Sequence, residues 1–206
     1  MNFRIENKYK IEKDKLFNFY EFLKLNSAKI LYPQRKIHSI YFDNQSFSSY
    51  NDSIEGIVPR KKIRVRTYPK KVNDKSAINH TLEIKINSAE GKIKNLEKNF
   101  DYDRIVRHGY FDSLYGQCLP KVEISYFREY FSLLDFRVTI DKLINYVEFS
   151  NQKKIISYDS VIIEVKSNEL QSLNHIENKF CFQKTRFSKY TNAIENINNF
   201  NNTYIF

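Results

Sequence analysis

Charged side chains alternate with apolar ones in several short segments of this sequence, and their types are suited to phosphate chemistry. Arg64 and Arg66 flank Val65, and Glu164 and Lys166 stand two positions apart in a similar segment. A guanidinium group binds phosphate oxygens through parallel hydrogen bonds, and carboxylate oxygens are preferred ligands of Mg²⁺ and Mn²⁺. Together, these residue types indicate a site for a phosphorylated anion and a divalent metal.

Alternation with a period of two predicts that these segments are β-strands with one apolar and one charged face. The predicted strands cover residues 3–11, 37–43, 62–68, 81–87, 92–100, 121–131, 136–141, 145–149, 154–158 and 161–166. Helical periodicity predicts helices over residues 14–25, 101–115, 169–182 and 188–200, with Asp14 as the first N-cap, and a loop over 44–59. The pattern predicts an α+β fold, with helices around one antiparallel sheet or barrel in a single domain, 1–206.

The charge balance indicates a polyanionic partner. The chain of 206 residues carries 34 Lys and Arg against 24 Asp and Glu, a net charge of +10. The positive charges are spread along the predicted strands, whereas a nucleic-acid-binding tail would gather them in one block. Nucleic acid is therefore not the expected partner. Hydrophobic residues make up 41% of the chain, which excludes wholesale disorder, and the absence of a signal segment or long apolar run predicts a cytoplasmic protein.

Two arrangements of the charged strand faces are open at this point. In a half-exposed antiparallel sheet, the charged face simply meets water. In a sheet closed into a barrel, one face must turn inward, and helices packed on the apolar face would leave the charged face inside. Buried like charges are costly unless they are paired or meet a counter-ion. The second arrangement therefore predicts that the interior binds a polyanion.

The other conspicuous residue types predict packing. Cys118 and Cys181 are expected to be buried free thiols, because two cysteines alone form neither a disulfide framework nor a zinc site. Tyr41, Phe42 and Tyr50 are expected in the core. None of the 4 histidines has a metal-ligating companion at a useful spacing.

The charged segments resemble, in order, the motifs of the VTC (vacuolar transporter chaperone) domain. This domain forms the polyphosphate polymerase branch of the triphosphate tunnel metalloenzymes, in the CYTH-like superfamily. The matching stretches are RIENKY at 4–9, HSIYFD at 38–43, KIRVRTY at 62–68, LEIK at 82–85, GKIK at 91–94, PKVEISYFR at 120–128, RVTID at 137–141, VIIEVK at 161–166 and RFSKY at 186–190. One such motif is weak support, but the ordered set covers nearly the whole chain.

The resemblance implies an antiparallel barrel whose basic interior is a tunnel, together with a set of site residues. The implied substrate-binding residues are Lys8, Arg64, Arg66, Lys85, Lys94, Arg128, Arg137, Lys166, Arg186 and Lys189. The implied catalytic residues among them are Lys8, Arg64, Arg66, Arg137 and Lys189. Glu164 is the implied ligand of Mn²⁺ or Mg²⁺, with Glu6 and Glu83 as further metal-binding carboxylates or as ion-pair partners.

The implied activity is transfer of the γ-phosphoryl group of ATP to a growing polyphosphate chain. Such a reaction needs no side-chain nucleophile, because the acceptor is itself a phosphate and catalysis rests on positioning and charge neutralisation. Two alternatives stay open: a triphosphatase or polyphosphatase in the same tunnel, and a non-catalytic polyphosphate-binding accessory domain. The expected partners are ATP, polyphosphate and pyrophosphate, with a membrane or accessory protein as a further one.

Overall fold

In the computed structural model, residues 5–68, 79–150, 154–167 and 182–203 are described. This part of the chain contains ten β-strands and four α-helices. In chain order they are β1 (Ile5–Glu12), α1 (Leu16–Leu25), β2 (Lys29–Asp43), α2 (Ser48–Glu55), β3 (Arg60–Thr67), β4 (His80–Ser88), β5 (Gly91–Glu97), α3 (Tyr102–His108), β6 (Tyr110–Asp112), β7 (Gly116–Leu133), β8 (Phe136–Glu148), β9 (Lys154–Tyr158), β10 (Ser160–Ser167) and α4 (Lys189–Thr203). A 3-10 helix, Lys13–Lys15, precedes α1.

Hydrogen bonds connect the strands in the order β1–β10–β8–β7–β2–β3–β4–β5, with β6 beside β7 and β9 beside β8. The pairings β1–β10, β10–β8, β2–β3, β3–β4, β4–β5 and β6–β7 are antiparallel. The predicted α+β architecture with an antiparallel sheet is therefore confirmed. For the described residues this order is open, with β1 and β5 at its ends, so their hydrogen bonds do not close the predicted barrel.

The chain divides into two compact units. Unit 1 comprises residues 1–36, 126–144 and 157–187, and unit 2 comprises residues 37–125, 145–156 and 188–206. Unit boundaries fall within β2, β7, β8 and β9. A single domain over 1–206 stays a prediction.

Unit 1 has its own hydrophobic core on one face of its strands. The core side chains from β1, β8 and β10 are Tyr9, Ile11, Phe136, Val138, Ile140, Val161, Ile163 and Val165. Phe19 and Leu23 of α1 pack against them. Because successive side chains of a strand point to opposite sides, the intervening charged residues lie on the other face.

Unit 2 repeats this plan with different elements. Ile63 and Val65 of β3 are 1% exposed and pack in one cluster with Leu82 of β4. Ile105 and Val106 of α3 pack against the same cluster. The opposite face of β3 and β4 therefore carries the charged residues of these strands.

The predicted loop over 44–59 is wrong, because it contains α2. Side chains at the end of β2 supply hydrogen bonds for the first turn of this helix. Asn44 Oδ1 accepts from the Ser48 amide at 3.0 Å, and the Asp43 carboxylate accepts from the amides of Ser49 and Tyr50. Short polar segments of this kind lack the apolar periodicity on which the helix prediction depended.

Three further predictions of element bounds differ from the structure. The helix predicted over 101–115 ends at His108, because Gly109 takes a φ of +81°, and a Cβ there would collide with the Cys118 carbonyl oxygen. The predicted cap Asp14 lies in the 3-10 helix, and α1 begins at Leu16. The strands predicted over 136–141 and 145–149 are one strand, β8.

Some sequence predictions concern residues outside the described ranges, namely Cys181 and the helix predicted over 169–182, apart from its last residue. Cys118 is a buried free thiol, as predicted. No helix in the described ranges combines the length and apolar character needed to cross a bilayer.

Candidate functional site

In unit 2, part of the charged face of β3 and β4 is buried, whereas Lys85 on the same face is exposed. The strand register places Arg64 directly opposite Glu83. Arg64 is 6% exposed and Glu83 is 3% exposed. Arg64 Nε donates to Glu83 Oε2 at 2.7 Å, and Arg64 Nη2 donates to the same oxygen. The water-facing alternative for these strands is therefore wrong for both residues.

Two more cations converge on the Glu83 carboxylate. Lys94 Nζ, on the neighbouring strand β5, donates to Glu83 Oε1 at 2.8 Å, and Arg66 Nη1 lies 3.8 Å from Oε2. Burial raises the pKa of Glu83, but the charges of Arg64 and Arg66 and the hydrogen bond from Lys94 outweigh it and lower the pKa to about 2. The carboxylate is thus ionised and has cations on both oxygens.

Tyr41 belongs to this cluster as well as to the core in which the sequence placed it. It lies opposite Arg64 in the register, and its hydroxyl accepts from Arg64 Nη1 at 2.6 Å. Burial raises the pKa of Tyr41, but the positive charges of Arg64, Arg66 and Lys189 reverse the shift and lower the pKa. Tyr41 therefore fixes one end of a guanidinium whose other end is fixed by Glu83.

The first turn of α4 is fixed beside Tyr41. The Tyr190 ring stacks on Tyr41 with centroids 5.3 Å apart and an interplanar angle of 11°, and its hydroxyl donates to Asp43 Oδ2 at 2.6 Å. Lys189, the predicted site residue next to Tyr190, thereby comes close enough for its charge to lower the pKa of Tyr41. Lys62 Nζ donates to Ser188 Oγ at 2.8 Å.

Tyr41 and Lys62 are the functional candidates that the sequence analysis missed in unit 2. For Lys62 the signal was available, since it alternates with Arg64 and Arg66 along the same strand face. For Tyr41 the signal lay in the register of β2 against β3, which a single sequence does not give.

In unit 1, a second set of charged side chains shares one face of β1, β10 and β8. The register aligns Lys8 with Glu164, and Glu6 with Lys166 and then Arg137. Residues directly opposite each other in a sheet lie on the same face. Glu164 is 7% exposed, so its surroundings are also largely closed to water.

Two carboxylates of this set share one ammonium group. Lys166 Nζ lies 2.7 Å from Glu164 Oε1 and 3.3 Å from Glu6 Oε2. Lys8 Nζ lies 3.3 Å from Glu6 Oε1 and donates to the Phe187 carbonyl at 2.9 Å. The structure therefore brings Glu6 and Glu164 together, whereas Glu83 belongs to the other unit.

Arg128 lies beside the Glu164 oxygen that Lys166 does not contact. It donates to both oxygens of fully buried Asp141, at 2.5 and 2.7 Å, and its Nη2 lies 3.5 Å from Glu164 Oε2. Burial raises the pKa of Glu164, but the charges of Arg128, Lys166 and Lys8 hold it well below its usual value. Glu164 is therefore a carboxylate at neutral pH.

Four of the predicted phosphate contacts lie where solvent reaches them: Lys85, Lys94, Arg137 and Arg186. Lys85 is opposite Lys94 in the register, next to the buried Glu83 cluster. Arg137 lies over the ring of Tyr130, with its guanidinium carbon 5.5 Å from the ring centroid. Exposed cations of this kind can contact the part of a ligand that extends into solvent, which the buried cations do not reach.

The donor set of unit 1 fits a hard divalent cation. Mg²⁺ in phosphate sites commonly takes one or two carboxylates and completes its shell with phosphate oxygens and water. Glu6 and Glu164 supply two such carboxylates within reach of the same ammonium. Within the described ranges, no three His, Cys, Asp or Glu side chains are grouped to hold a metal by themselves. A metal held here would therefore share its shell with the substrate.

Comparisons with solved structures find proteins of the same fold. A proposed adenylate cyclase from Vibrio parahaemolyticus is similar with a TM-score of 0.53 and 13% identity, over 94% of this chain and 98% of that chain. A proposed adenylyl cyclase from Hippeastrum, described as having a dominant triphosphatase activity, gives a TM-score of 0.53 and 13% identity, over 93% and 96% of the two chains. At such identity these likenesses show the fold alone.

Sequence comparison identifies the family. No curated protein matches the chain. The sequence profile of the VTC domain matches residues 3–104 and 107–198, a span that contains both charged clusters and confirms the resemblance in the motifs. The chain therefore belongs to the VTC domain family.

Proposed function

We propose that the chain is a metal-dependent polyphosphate polymerase, which transfers the γ-phosphoryl group of ATP to the end of a polyphosphate chain. The observation that carries this proposal is the burial of Arg64 and Arg66, each at most 7% exposed, around one carboxylate, Glu83. Guanidinium groups gathered in a site that is closed to water favour an anionic ligand with several oxygens. Membership of the VTC domain family supports the same ligand class.

In this proposal the cations of unit 2 bind phosphate oxygens. Arg64 and Arg66 present planar guanidinium groups, which suit the oxygens of a phosphate chain. Glu83 and Tyr41 hold Arg64 in one orientation before substrate arrives, so that less conformational freedom is lost on binding. Lys189 adds a charge at the start of α4. Lys85 and Lys94 extend the cationic surface outward.

We assign the metal to the cluster of unit 1, together with phosphate oxygens. Glu164 and Glu6 are the proposed ligands of Mn²⁺ or Mg²⁺, and the bound ion would neutralise negative charge on phosphate oxygens. Lys8 and Lys166 lie beside these carboxylates, and Arg128 is oriented by Asp141. The further proposed phosphate contacts of unit 1 are Arg137 and Arg186.

The reaction requires no covalent intermediate with the protein. An oxygen of the terminal phosphate of the chain attacks the γ-phosphorus of ATP, a new P–O–P linkage forms, and the bond to the leaving ADP breaks. The protein aligns donor and acceptor and offsets the charge of the transferring group. Each cluster by itself contains hydrogen-bond donors that are fixed in place, and donors of this kind lower a barrier in preorganised sites.

A triphosphatase is the second candidate. It would use the same residues with water in place of the acceptor phosphate. The structural neighbour from Hippeastrum, described as having a dominant triphosphatase activity, favours this alternative. A non-catalytic polyphosphate-binding domain is the third outcome that the test must separate. A membrane or accessory-protein partner stays a prediction.

The deciding experiment incubates the purified chain with ATP and Mn²⁺, with Mg²⁺, or without metal. Long-chain polyphosphate is read on a gel and free phosphate is measured in the same samples. The variant is Glu164→Gln, which keeps the shape of the side chain and removes its charge. The matched control is Glu12→Gln, which lies on β1 with Glu6. Among the described residues, the Glu12 carboxylate makes only an exposed ion pair with Lys15.

The polymerase proposal expects metal-dependent polyphosphate that Glu12→Gln retains and Glu164→Gln loses. Free phosphate without polyphosphate would move the function to the triphosphatase. A folded protein that binds polyphosphate and releases neither product would be an accessory binding domain. Full activity of Glu164→Gln would overturn the metal assignment.

A further inference from the structure

The charged face of unit 1 extends to an arginine–tyrosine cluster, which consists of Tyr32, Arg35, Tyr130 and Arg137. The Tyr130 ring has the guanidinium carbon of Arg137 at 5.5 Å from its centroid and that of Arg35 at 5.8 Å. Arg35 also lies 5.4 Å from the Tyr32 ring, and the two tyrosine rings meet edge to face at 5.6 Å and 87°. Two guanidinium groups are therefore held against one ring.

The two arginines of this cluster differ from the other site arginines in their counter-charges. Arg64 and Arg128 are paired with Glu83 and Asp141. Among the described residues, neither Arg35 nor Arg137 forms an ion pair with a carboxylate, and both are exposed. Cation–π contacts orient a guanidinium without neutralising it. The cluster thus presents two oriented positive charges to solvent.

The cluster continues the charged face of unit 1. In the strand register, Glu6 of β1 aligns with Lys166 of β10, which aligns with Arg137 of β8. Tyr130 stands two residues from Arg128 on β7, so it lies on the side of β7 that contacts Glu164. In the strand order β2 follows β7, and β2 supplies Arg35. The row of cations therefore runs from Lys166 through Arg137 to Arg35.

We propose that Arg35 and Arg137 form a binding subsite for phosphates of a polyphosphate chain that lie away from the reacting one. The identity of the anion rests on the proposed function, while the subsite itself rests on this geometry. Arg35 is outside every sequence motif that pointed to the function. Tyr130 is only 5% exposed, so its ring acts as a support for the two guanidinium groups and is closed to base stacking. The choice of a phosphate chain over a nucleic acid rests on the proposed function, because the Tyr32 ring of the same cluster is 47% exposed.

The test compares Arg35→Ala with Lys36→Ala. The two substitutions remove the same charge from adjacent positions, but successive side chains of a strand point to opposite faces, so Lys36 lies on the other side of β2. Affinity for long-chain polyphosphate is measured by calorimetry without metal or nucleotide, over a series of salt concentrations. Duplex DNA is titrated in parallel, and circular dichroism checks the fold of each variant.

We expect Arg35→Ala to weaken polyphosphate binding by roughly 3- to 10-fold, the scale of one charge-assisted contact, and to reduce the salt dependence. Lys36→Ala should bind like the unchanged chain. Arg35→Lys should recover part of the affinity, because it restores the charge but not the planar group.

Three results would overturn the subsite: unchanged affinity of Arg35→Ala, an equal loss in Lys36→Ala, or an equal loss of affinity for DNA. The first excludes a contact, the second reduces it to overall surface charge, and the third makes it a general nucleic-acid surface. Because these measurements involve no turnover, failure of the polymerase assay would leave the subsite standing. Conversely, if Arg35→Ala shows no subsite, the predicted loss of polyphosphate synthesis in Glu164→Gln is unaffected.

Discussion

The two charged clusters use the same residue types in different proportions. In unit 2, one carboxylate, Glu83, meets three cations: Arg64, Arg66 and Lys94. In unit 1, three carboxylates meet three cations: Glu6, Asp141 and Glu164 against Lys8, Arg128 and Lys166. The guanidinium groups of the first cluster are suited to an anion. The second cluster has three carboxylates, and can accept a divalent cation together with its anionic ligand.

The clusters also differ in the exposure of particular ion pairs: the Lys94 side chain at the edge of the first cluster is 41% exposed, but the Arg64–Glu83 pair of that cluster is buried. The side chains of Arg64 and Glu83 are 7% and 3% exposed, whereas those of Lys8 and Lys166 are 29% and 33% exposed. A sealed ion pair couples its partners to the stability of the fold, because removal of either leaves a buried charge. A half-open cluster can exchange its contacts for those of a ligand. The first cluster should therefore matter more for stability, and the second more for activity.

The largest expected effect is on stability, from Glu83→Gln. The variant removes the charge of the buried carboxylate that Arg64, Arg66 and Lys94 share. We expect the free energy of unfolding to fall by about 3–5 kcal/mol, measured by urea titration. Glu12→Gln, at an exposed position, should change it by less than about 0.5 kcal/mol. A similar small change in Glu83→Gln would contradict the sealed cluster.

The second effect is a loss of stability in acid. The pKa of Glu83 is about 2 in the folded chain, against a reference value of 4.5. A lowered folded-state pKa gives a contribution that is complete above pH 4.5 and is lost as the pH falls toward 2. The pKa difference corresponds to about 3 kcal/mol. In urea titrations between pH 4.5 and 2, the free energy of unfolding should fall less steeply with pH for Glu83→Gln than for the unchanged chain. Equal slopes would show that the ionisation of Glu83 does not contribute to stability.

The third effect is the opposite pattern for Glu164→Gln, a small loss of stability and a large loss of turnover. Arg128 keeps its two bonds to Asp141, and Gln can still accept from Lys166, so the expected cost in stability is only about 1–2 kcal/mol. The loss of a metal-binding charge should instead lower turnover by roughly 100-fold or more, provided that the proposed function holds. A variant that loses as much stability as Glu83→Gln and keeps its turnover would remove the distinction between the clusters.

A smaller effect is expected from Tyr41→Phe, which removes the acceptor for Arg64 Nη1 and keeps the stacked ring. The expected cost in stability is about 1 kcal/mol, with a similar loss of polyphosphate affinity. Calorimetry of both unfolding and binding would measure the two together. A loss of stability alone would make Tyr41 a packing residue only.

The smallest effect concerns Thr139, which lies opposite Glu164 in the register and is 2% exposed. Its Oγ1 has no hydrogen-bond partner among the described residues. Thr139→Val replaces this hydroxyl by a methyl group of the same shape. We expect the free energy of unfolding to rise by up to about 1 kcal/mol in the absence of ligand. Destabilisation in urea would show that the hydroxyl is satisfied in solution.

Much of the fold could be predicted from local patterns. The alternation around Arg64 and Arg66 predicted a strand with one charged face, and β3 confirms it. The helix α2 could not be found in the same way, because its stability depends on capping by Asp43 and Asn44 and on packing rather than on an apolar stripe. Predicted bounds of other elements failed where a backbone conformation, such as that of Gly109, ended a helix early.

The sequence likewise predicted some residues of the candidate site and missed others. Residue types and motif order singled out Glu83, Glu164 and the cations around them. They gave no sign of Tyr41 or Arg35, because each becomes a site candidate only through a neighbour on another strand. Cross-strand neighbours follow from register, and one sequence does not specify register.

The sequence by itself determined that charged and apolar residues lie on opposite faces of the strands, because the pleat of a β-strand turns every second side chain the same way. Only the tertiary structure decided which carboxylate meets which cation, and how far each is removed from water. The helices α1 and α3 cover the apolar faces, and strand pairing joins Glu83 to Arg64 and Glu164 to Lys166. These contacts connect residues distant in the chain, so their strength and pKa shifts arise only when the chain has folded.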